Sequence, residues 1–168
     1  MSLTIRKARV EDAHAIVSAE QEIAQSPGFF CSQPSELSEE NVVKMIRNLS
    51  ESHTGIYLVA EREGKIVGHA FLESLHLKSI CHVAQLSICV HQSWQEKGLG
   101  TALIKQLIDW AKQSATIEKI ELSVRASNSR AISLYKKMGF IEEGRLKNRI
   151  KIDSSHYIDD ILMALYVI

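Results

Sequence analysis

Cysteine and proline are scarce in this chain, and neither sign of charge predominates. The three cysteines, Cys31, Cys81 and Cys89, are odd in number and form no C-x-x-C pair, so neither a disulfide framework nor a zinc site is predicted. We expect reduced thiols, no metal cofactor and a cytoplasmic protein. Twenty basic residues balance twenty acidic ones, which gives no electrostatic case for binding nucleic acid or a membrane surface.

Long hydrophobic runs are absent as well. The longest apolar stretch, Ile161 to Ile168, has eight residues, too few to cross a bilayer. The segment from Met1 to Val10 lacks the apolar core of a signal peptide. A length of 168 residues suits one domain with a real core. We therefore expect one soluble domain over residues 1–168.

Hydrophobic periodicity predicts seven strands and four helices in the order βααβββαβαββ. This order implies one mixed sheet covered by helices on both faces. The predicted strands are Leu3 to Ala8, Gly55 to Ala60, Ile66 to Leu75, His82 to Val90, Lys119 to Val124, Ile141 to Lys147 and Tyr157 to Ile168. The predicted helices start at Glu11, at Ser38, at residue 100 and at Ser129.

The segment Gln95-Glu96-Lys97-Gly98-Leu99-Gly100-Thr101 joins an apolar strand to an amphipathic helix. A glycine-broken turn at the positive end of a helix presents backbone N–H groups that bind phosphate oxygens. Glycines at 98 and 100 let a pyrophosphate approach the backbone closely. The spacing excludes a Walker A loop, and Leu103 stands where a dinucleotide fingerprint needs its third glycine.

The loop fits the pattern Gln/Arg-x-x-Gly-x-Gly/Ala, and a second pattern follows it. After the strand Glu121 to Val124 come Asn128, Leu134-Tyr135 and Gly139-Phe140. Together these motifs resemble the GNAT N-acetyltransferases over residues 3 to 168. The likeness is greatest to bacterial members that acetylate amino acids. The resemblance implies a mixed, mostly antiparallel twisted sheet of about seven strands, flanked by about four helices and splayed where the coenzyme binds.

The resemblance also implies acetyl-CoA as co-substrate and a role for each motif residue. The backbone of Ile88, Cys89 and Val90 would hold the pantetheine arm like an added strand. Asn128 would bind the pantetheine region, and Tyr135 would protonate the departing thiolate. The pyrophosphate would lie among Gln95, Lys97, Gly98, Leu99, Gly100 and Thr101.

Three of these residues also fit purely structural roles. Tyr135 falls on the stripe that contains Ala131, Leu134 and Met138, so it is also explained as a buried aromatic. Asn128 is also explained as a helix cap. Cys89 lies in an apolar strand without an activating base, which favours packing over nucleophilic catalysis.

A general base is harder to find in the sequence. A lysine-like amine with a pKa of about 10.4 costs roughly 4.6 kcal/mol to deprotonate at pH 7, but an α-amino group of pKa about 8 costs only about 1.4. Many relatives place a carboxylate in the strand before the loop, whereas Val83 to Val90 has none and carries Gln85 instead. The candidates are His82, Glu73, or a chain of water molecules. The missing acid favours an α-amino acceptor.

The resemblance therefore implies acetyl transfer from acetyl-CoA to the amine of a small molecule by direct attack in a ternary complex, and the missing acid favours an amino acid as that molecule. The acceptor pocket is expected from Ser26 to Pro34, the second helix and the loop Lys151 to Tyr157. An antibiotic, a polyamine, or a protein N-terminus or lysine are alternative acceptors, and a non-catalytic acyl-CoA-binding module is an alternative class. Dimers are frequent in the family, so the resemblance also allows a homodimer.

Overall fold

A computed structural model describes residues 2–30 and 32–168 of the chain. Cys31 lies outside the described residues, so its predicted reduced state stays a prediction, whereas Cys81 and Cys89 are free thiols. The strands are β1 (Leu3–Lys7), β2 (Gly55–Arg62), β3 (Lys65–Ser74), β4 (Val83–Val90), β5 (Lys119–Arg125), β6 (Ile141–Lys151) and β7 (Tyr157–Tyr166). The helices are α1 (Ala13–Ala24), α2 (Glu39–Ser50), α3 (Leu99–Gln113) and α4 (Ser129–Lys137). In the described part of the chain, no helix is long and apolar enough to span a membrane.

The strands form one seven-stranded sheet in the order β1-β2-β3-β4-β5-β7-β6. β4 and β5 run parallel, and the other neighbouring pairs are antiparallel. The prediction of a mixed, mostly antiparallel sheet with four flanking helices is therefore confirmed.

The last hairpin is longer than the periodicity predicted. β6 continues to Lys151 instead of ending near Lys147. Its register with β7 shifts between Leu146 and Ile150, where Asn148 has a φ of 53° and donates its N–H to Asp159 Oδ1 at 2.8 Å. β6 is an edge strand of the sheet and most of its residues are exposed, so it runs on through polar residues that a half-buried strand would not contain.

Helices cover both faces of the sheet, as the element order predicts. Leu58 and Ala60 belong to the apolar cluster that contains the buried face of α3. Tyr57 and Val59 belong to the cluster under α1 and α2. Because successive side chains of a strand point to opposite faces, β2 contributes to both cores in alternation.

Candidate functional site

β4 and β5 separate after a short stretch of pairing. The parallel ladder joins only Val83, Ala84 and Gln85 to β5, so the strands diverge from Leu86 onward. On the other side of β4, the His91 N–H donates to Val67 O at 3.0 Å and the Leu75 N–H donates to Val83 O at 2.9 Å.

Hydrogen bonding in an antiparallel ladder alternates along each strand, so the odd-numbered residues of β4 bond to β3. Ile88 and Val90 therefore turn their main-chain groups to the gap, as strand addition by a ligand requires. Cys89 differs, because it pairs with His69 in the β3 ladder and its side chain is buried.

The gap between the two strands opens into a cavity of about 810 Å³, here called the gap cavity. Its wall includes Leu86 to Val90 from β4, Gly98 to Thr101 at the start of α3, Ser123 to Arg125 from β5, and most of the segment from Ser127 to Tyr135. The first helical N–H to find a partner within α3 is that of Ala102, which donates to Gly98 O at 3.1 Å. The N–H groups of residues 99–101 are therefore available to a ligand.

The two loop glycines serve different purposes. Gly98 has a φ of +77°, and a Cβ added to it would meet nothing within 4 Å, so this position needs glycine for its left-handed backbone. Gly100 differs, because a Cβ there would lie 2.9 Å from Leu134 Cδ2, the flexible end of a side chain on α4 that would have to shift. The second glycine thus permits close contact between α3 and α4 beside the gap.

The polar side chains of the loop form a small network. Gln95 donates from Nε2 to Val90 O at 3.2 Å and accepts from Arg130 Nη1 at 2.6 Å. Arg130 also pairs with Glu96 at 3.1 Å and lines the gap cavity. The sequence analysis did not include Arg130 among the site residues, although Arg130 lies only two residues after Asn128. Lys97 donates to Ser93 O at 3.2 Å, lies over the Trp94 ring, and is not part of the cavity wall.

Asn128 and Tyr135 both line the gap cavity. Asn128 is the N-cap of α4, where its Oδ1 accepts the Ala131 N–H at 3.2 Å, so the capping role exists alongside its place in the wall. Tyr135 is 7% exposed and packs against Phe140. Burial raises its pKa to about 12, an effect that the nearby charge of Arg125 partly opposes. The phenol is therefore protonated at neutral pH and able to donate.

A second cavity of about 630 Å³ lies under α1 and α2 and is here called the α1–α2 cavity. The two cavities share five wall residues, which are Phe30, Leu86, Ser87, Ser123 and Arg125. Of the segments predicted for the acceptor pocket, the loop before α2 and α2 itself contribute to this wall, through Phe30 and Ser32 among others, but the loop Lys151 to Tyr157 does not. Leu162 and Met163 of β7 line the cavity instead. A strand rises about 3.4 Å per residue, so the loop at the start of β7 lies well away from the cavity.

Four glutamates line the α1–α2 cavity, and they differ in their partners. Glu121 and Glu143 share Lys119, at 2.9 and 2.8 Å. Glu36 is exposed and accepts the backbone N–H of Gln33. Glu20 on α1 is the most buried, with 17% of its side chain exposed, and a 2.9 Å hydrogen bond joins its Oε1 to Nε2 of the buried His69.

The two predicted bases are not brought to either cavity. His82 and Glu73 belong to neither wall, and Glu73 lies 3.9 Å from His76. Sequence reasoning looked for acids near β4 and did not consider Glu20, which a helix brings to the wall of the α1–α2 cavity. Glu20 lies four residues after the buried Ile16 and three before the buried Ile23. This helical spacing from two buried residues was the signal that the sequence offered.

Comparison with known proteins agrees with this geometry. The sequence model of the acetyltransferase (GNAT) family matches residues 18–140. The L-amino acid N-acetyltransferase AaaT of Escherichia coli is 35% identical over 107 residues, covering 64% of this chain and 65% of that protein. This chain thus spans just under two thirds of that relative's length.

Two solved structures share the fold along almost the whole chain. A GNAT-family acetyltransferase from Streptococcus pneumoniae has a TM-score of 0.90 and 28% identity, covering 98% of this chain and 99% of that one. The putative acetyltransferase yncA from Salmonella typhimurium, solved with its cofactor acetyl-CoA, has a TM-score of 0.89 and 21% identity, covering 100% and 95%. The family model covers most of the chain, so the chain belongs to the acetyltransferase (GNAT) family.

Proposed function

We propose that this protein transfers an acetyl group from acetyl-CoA to the amine of a small molecule within a ternary complex, and that this small molecule is an amino acid. The observation that carries the proposal is the junction of the two cavities at the β4–β5 gap. An acyl donor bound in the gap cavity meets an acceptor bound in the α1–α2 cavity at the shared wall. That arrangement suits direct attack of the amine on the thioester carbon.

The coenzyme is bound mainly by main-chain groups. The pyrophosphate lies at the N-terminus of α3, where the N–H groups of residues 99–101 and the backbone of Gly98 surround it. Arg130 adds a positive charge beside the loop. Ile88 and Val90 hydrogen-bond the pantetheine arm across the gap, with Asn128 on the opposite wall.

The chemistry requires a neutral amine. The acceptor ammonium loses one proton to the Glu20 carboxylate, and its lone pair then forms the C–N bond at the thioester carbon. The Val90 N–H stabilises the oxyanion that forms. The C–S bond then breaks while the Tyr135 hydroxyl donates a hydrogen bond to the departing thiolate. The second nitrogen proton ends on that sulfur as the thiol of CoA, and Glu20 releases the first proton to solvent.

His82 and Glu73 remain the sequence-based alternatives for the base. Comparing Glu20→Gln, Glu73→Gln and His82→Gln decides between them. The true base is expected to lose about 10²–10⁴-fold in turnover and to lose the limb of the pH–rate profile that reports its deprotonation. A direct base must also reach the acceptor, which favours Glu20 because it lines the α1–α2 cavity.

A polyamine is the second candidate acceptor, because four glutamates line the α1–α2 cavity. The test is thiol release from acetyl-CoA with amino acids, polyamines, aminoglycosides and lysine peptides, using protein shown to be folded. Release with amino acids supports the proposal, and release with polyamines alone supports the second candidate. Measured coenzyme binding without release for any amine would favour a non-catalytic coenzyme-binding module.

A further inference from the structure

Arg125 occupies the wall that the two cavities share, at the end of β5. Its residue exposure is 8%, yet it lines both cavities. Among the described residues, it is the only Lys or Arg in the wall of the α1–α2 cavity. Burying a charge is costly unless it is paired and hydrogen-bonded, so the partners of this cation at the junction of the two cavities decide what else it can bind.

Two of the three guanidinium nitrogens are anchored by the protein. Nε donates to Asp160 Oδ1 on β7, and Nη2 donates to Ser123 Oγ at 3.2 Å. Nη1 makes no hydrogen bond within the described residues. Arg125 lines both cavities, so Nη1 is the group that it can offer to a ligand there.

An anchored guanidinium with donors turned to a cavity is suited to a carboxylate. Its planar fork matches the two carboxylate oxygens, and its orientation is fixed before the ligand arrives. Asp160 keeps the guanidinium paired when the site is empty. A second charge of opposite sign lies in the same wall, because Glu20 also lines the α1–α2 cavity.

The remaining glutamates do not oppose a carboxylate as strongly as their number suggests. Glu121 and Glu143 are tied to Lys119, and Glu36 is exposed. A zwitterion therefore finds Glu20 for its ammonium group and Arg125 for its carboxylate. A polyamine would instead place positive charge in the cavity that holds the Arg125 donors.

We propose that Arg125 binds the carboxylate of the acceptor, and so selects amino acids over amines that lack a carboxylate. This inference rests on the proposed acetyltransferase function and narrows its substrate class. It assigns to Arg125 a role in specificity, separate from the coenzyme contacts of the gap cavity.

The test compares three acceptors that share one side chain: an α-amino acid, its primary amide and the corresponding amine without a carboxylate. With kcat/KM expressed per unprotonated amine, which removes the different amine pKa values of the three acceptors, the native enzyme is expected to prefer the amino acid by about 10–100-fold, the range of one charged hydrogen bond. In Arg125→Gln this preference falls to within about threefold of unity. Because the preference is a ratio measured in one preparation, the folded fraction cancels.

Two further variants separate recognition from structure. Arg125→Gln combined with Asp160→Asn removes the carboxylate that the single variant leaves unpaired, and it is expected to lose the preference equally. Arg130→Gln changes a cation that lines only the gap cavity, so the preference is expected to persist even where coenzyme affinity falls.

The outcomes are distinct. A native enzyme that acetylates the amide or the amine as well as the acid overturns the inference about Arg125 and leaves the acetyltransferase standing. A preference that survives in Arg125→Gln overturns it in the same way. Absence of acetylation with every acceptor overturns the proposed function together with this inference.

Discussion

Replacing Tyr135 with Phe removes one hydroxyl from the wall of the gap cavity and keeps the ring that packs against Phe140. We expect turnover to fall while coenzyme affinity changes by less than about threefold, because the main-chain groups of the loop and β4 that bind the coenzyme are untouched. The variant therefore separates catalysis from binding.

The pKa of Tyr135 sets the magnitude. Burial raises that pKa to about 12, whereas an ordinary thiol has a pKa of about 8.5. Complete proton transfer from the phenol to a thiolate would be uphill by roughly 3 to 4 pKa units, or about 5 kcal/mol. Tyr135 therefore contributes mainly a hydrogen bond to the developing thiolate, about 1.5–3 kcal/mol. This corresponds to a loss of roughly 10–150-fold in kcat.

The assay is single-turnover thiol release at saturating acetyl-CoA, with the coenzyme dissociation constant measured calorimetrically on the same samples. Tyr166→Phe is the matched control, because Tyr166 is 56% exposed and lines neither cavity. An unchanged kcat in Tyr135→Phe would refute the assigned donor. So would a loss that is fully accounted for by weaker coenzyme binding.

Three further perturbations test other parts of the site. Gly100→Ala places a Cβ 2.9 Å from Leu134 Cδ2, so the Leu134 side chain must shift. We expect the affinity for the coenzyme, measured by calorimetry, to fall about tenfold. An unchanged affinity would show that α3 and α4 need no close contact. Lys119→Gln removes the shared partner of two cavity glutamates; kcat/KM should fall for amino acids relative to polyamines, and no change in that ratio would contradict the charge argument. Burial lowers the pKa of His91 from 6.5 to about 4. Between pH 6.5 and pH 4, His91 is therefore protonated in the unfolded chain but not in the folded protein. The free energy of unfolding consequently falls as the pH drops through that range. His91→Gln should therefore reduce the loss of unfolding free energy between pH 7 and pH 5 by about 1–2 kcal/mol in urea titrations, and an equal loss in both proteins would contradict the burial effect.

The local patterns of the sequence were sufficient for most of the backbone and for the coenzyme loop. Gly98, Asn128 and Tyr135 were identified from their spacing in the motifs, and each lies in the wall of the gap cavity. Residues close in sequence determine a glycine turn, a helix cap or a strand period, so these features are visible before the chain folds. The extension of β6 was missed because its irregular register depends on Asp159, eleven residues away.

The charged pairs beside the two cavities could not be predicted from such local patterns. Glu20 and His69 meet across 49 residues, and Arg125 and Asp160 meet across 35. Helix packing brings the first pair together, and the register of β5 against β7 brings the second. The sequence by itself determined the fold, the family and the glycine turn that opens α3, because backbone geometry is set by near neighbours. Only the tertiary structure decided which charges line the two cavities, because that depends on side chains brought together from distant elements.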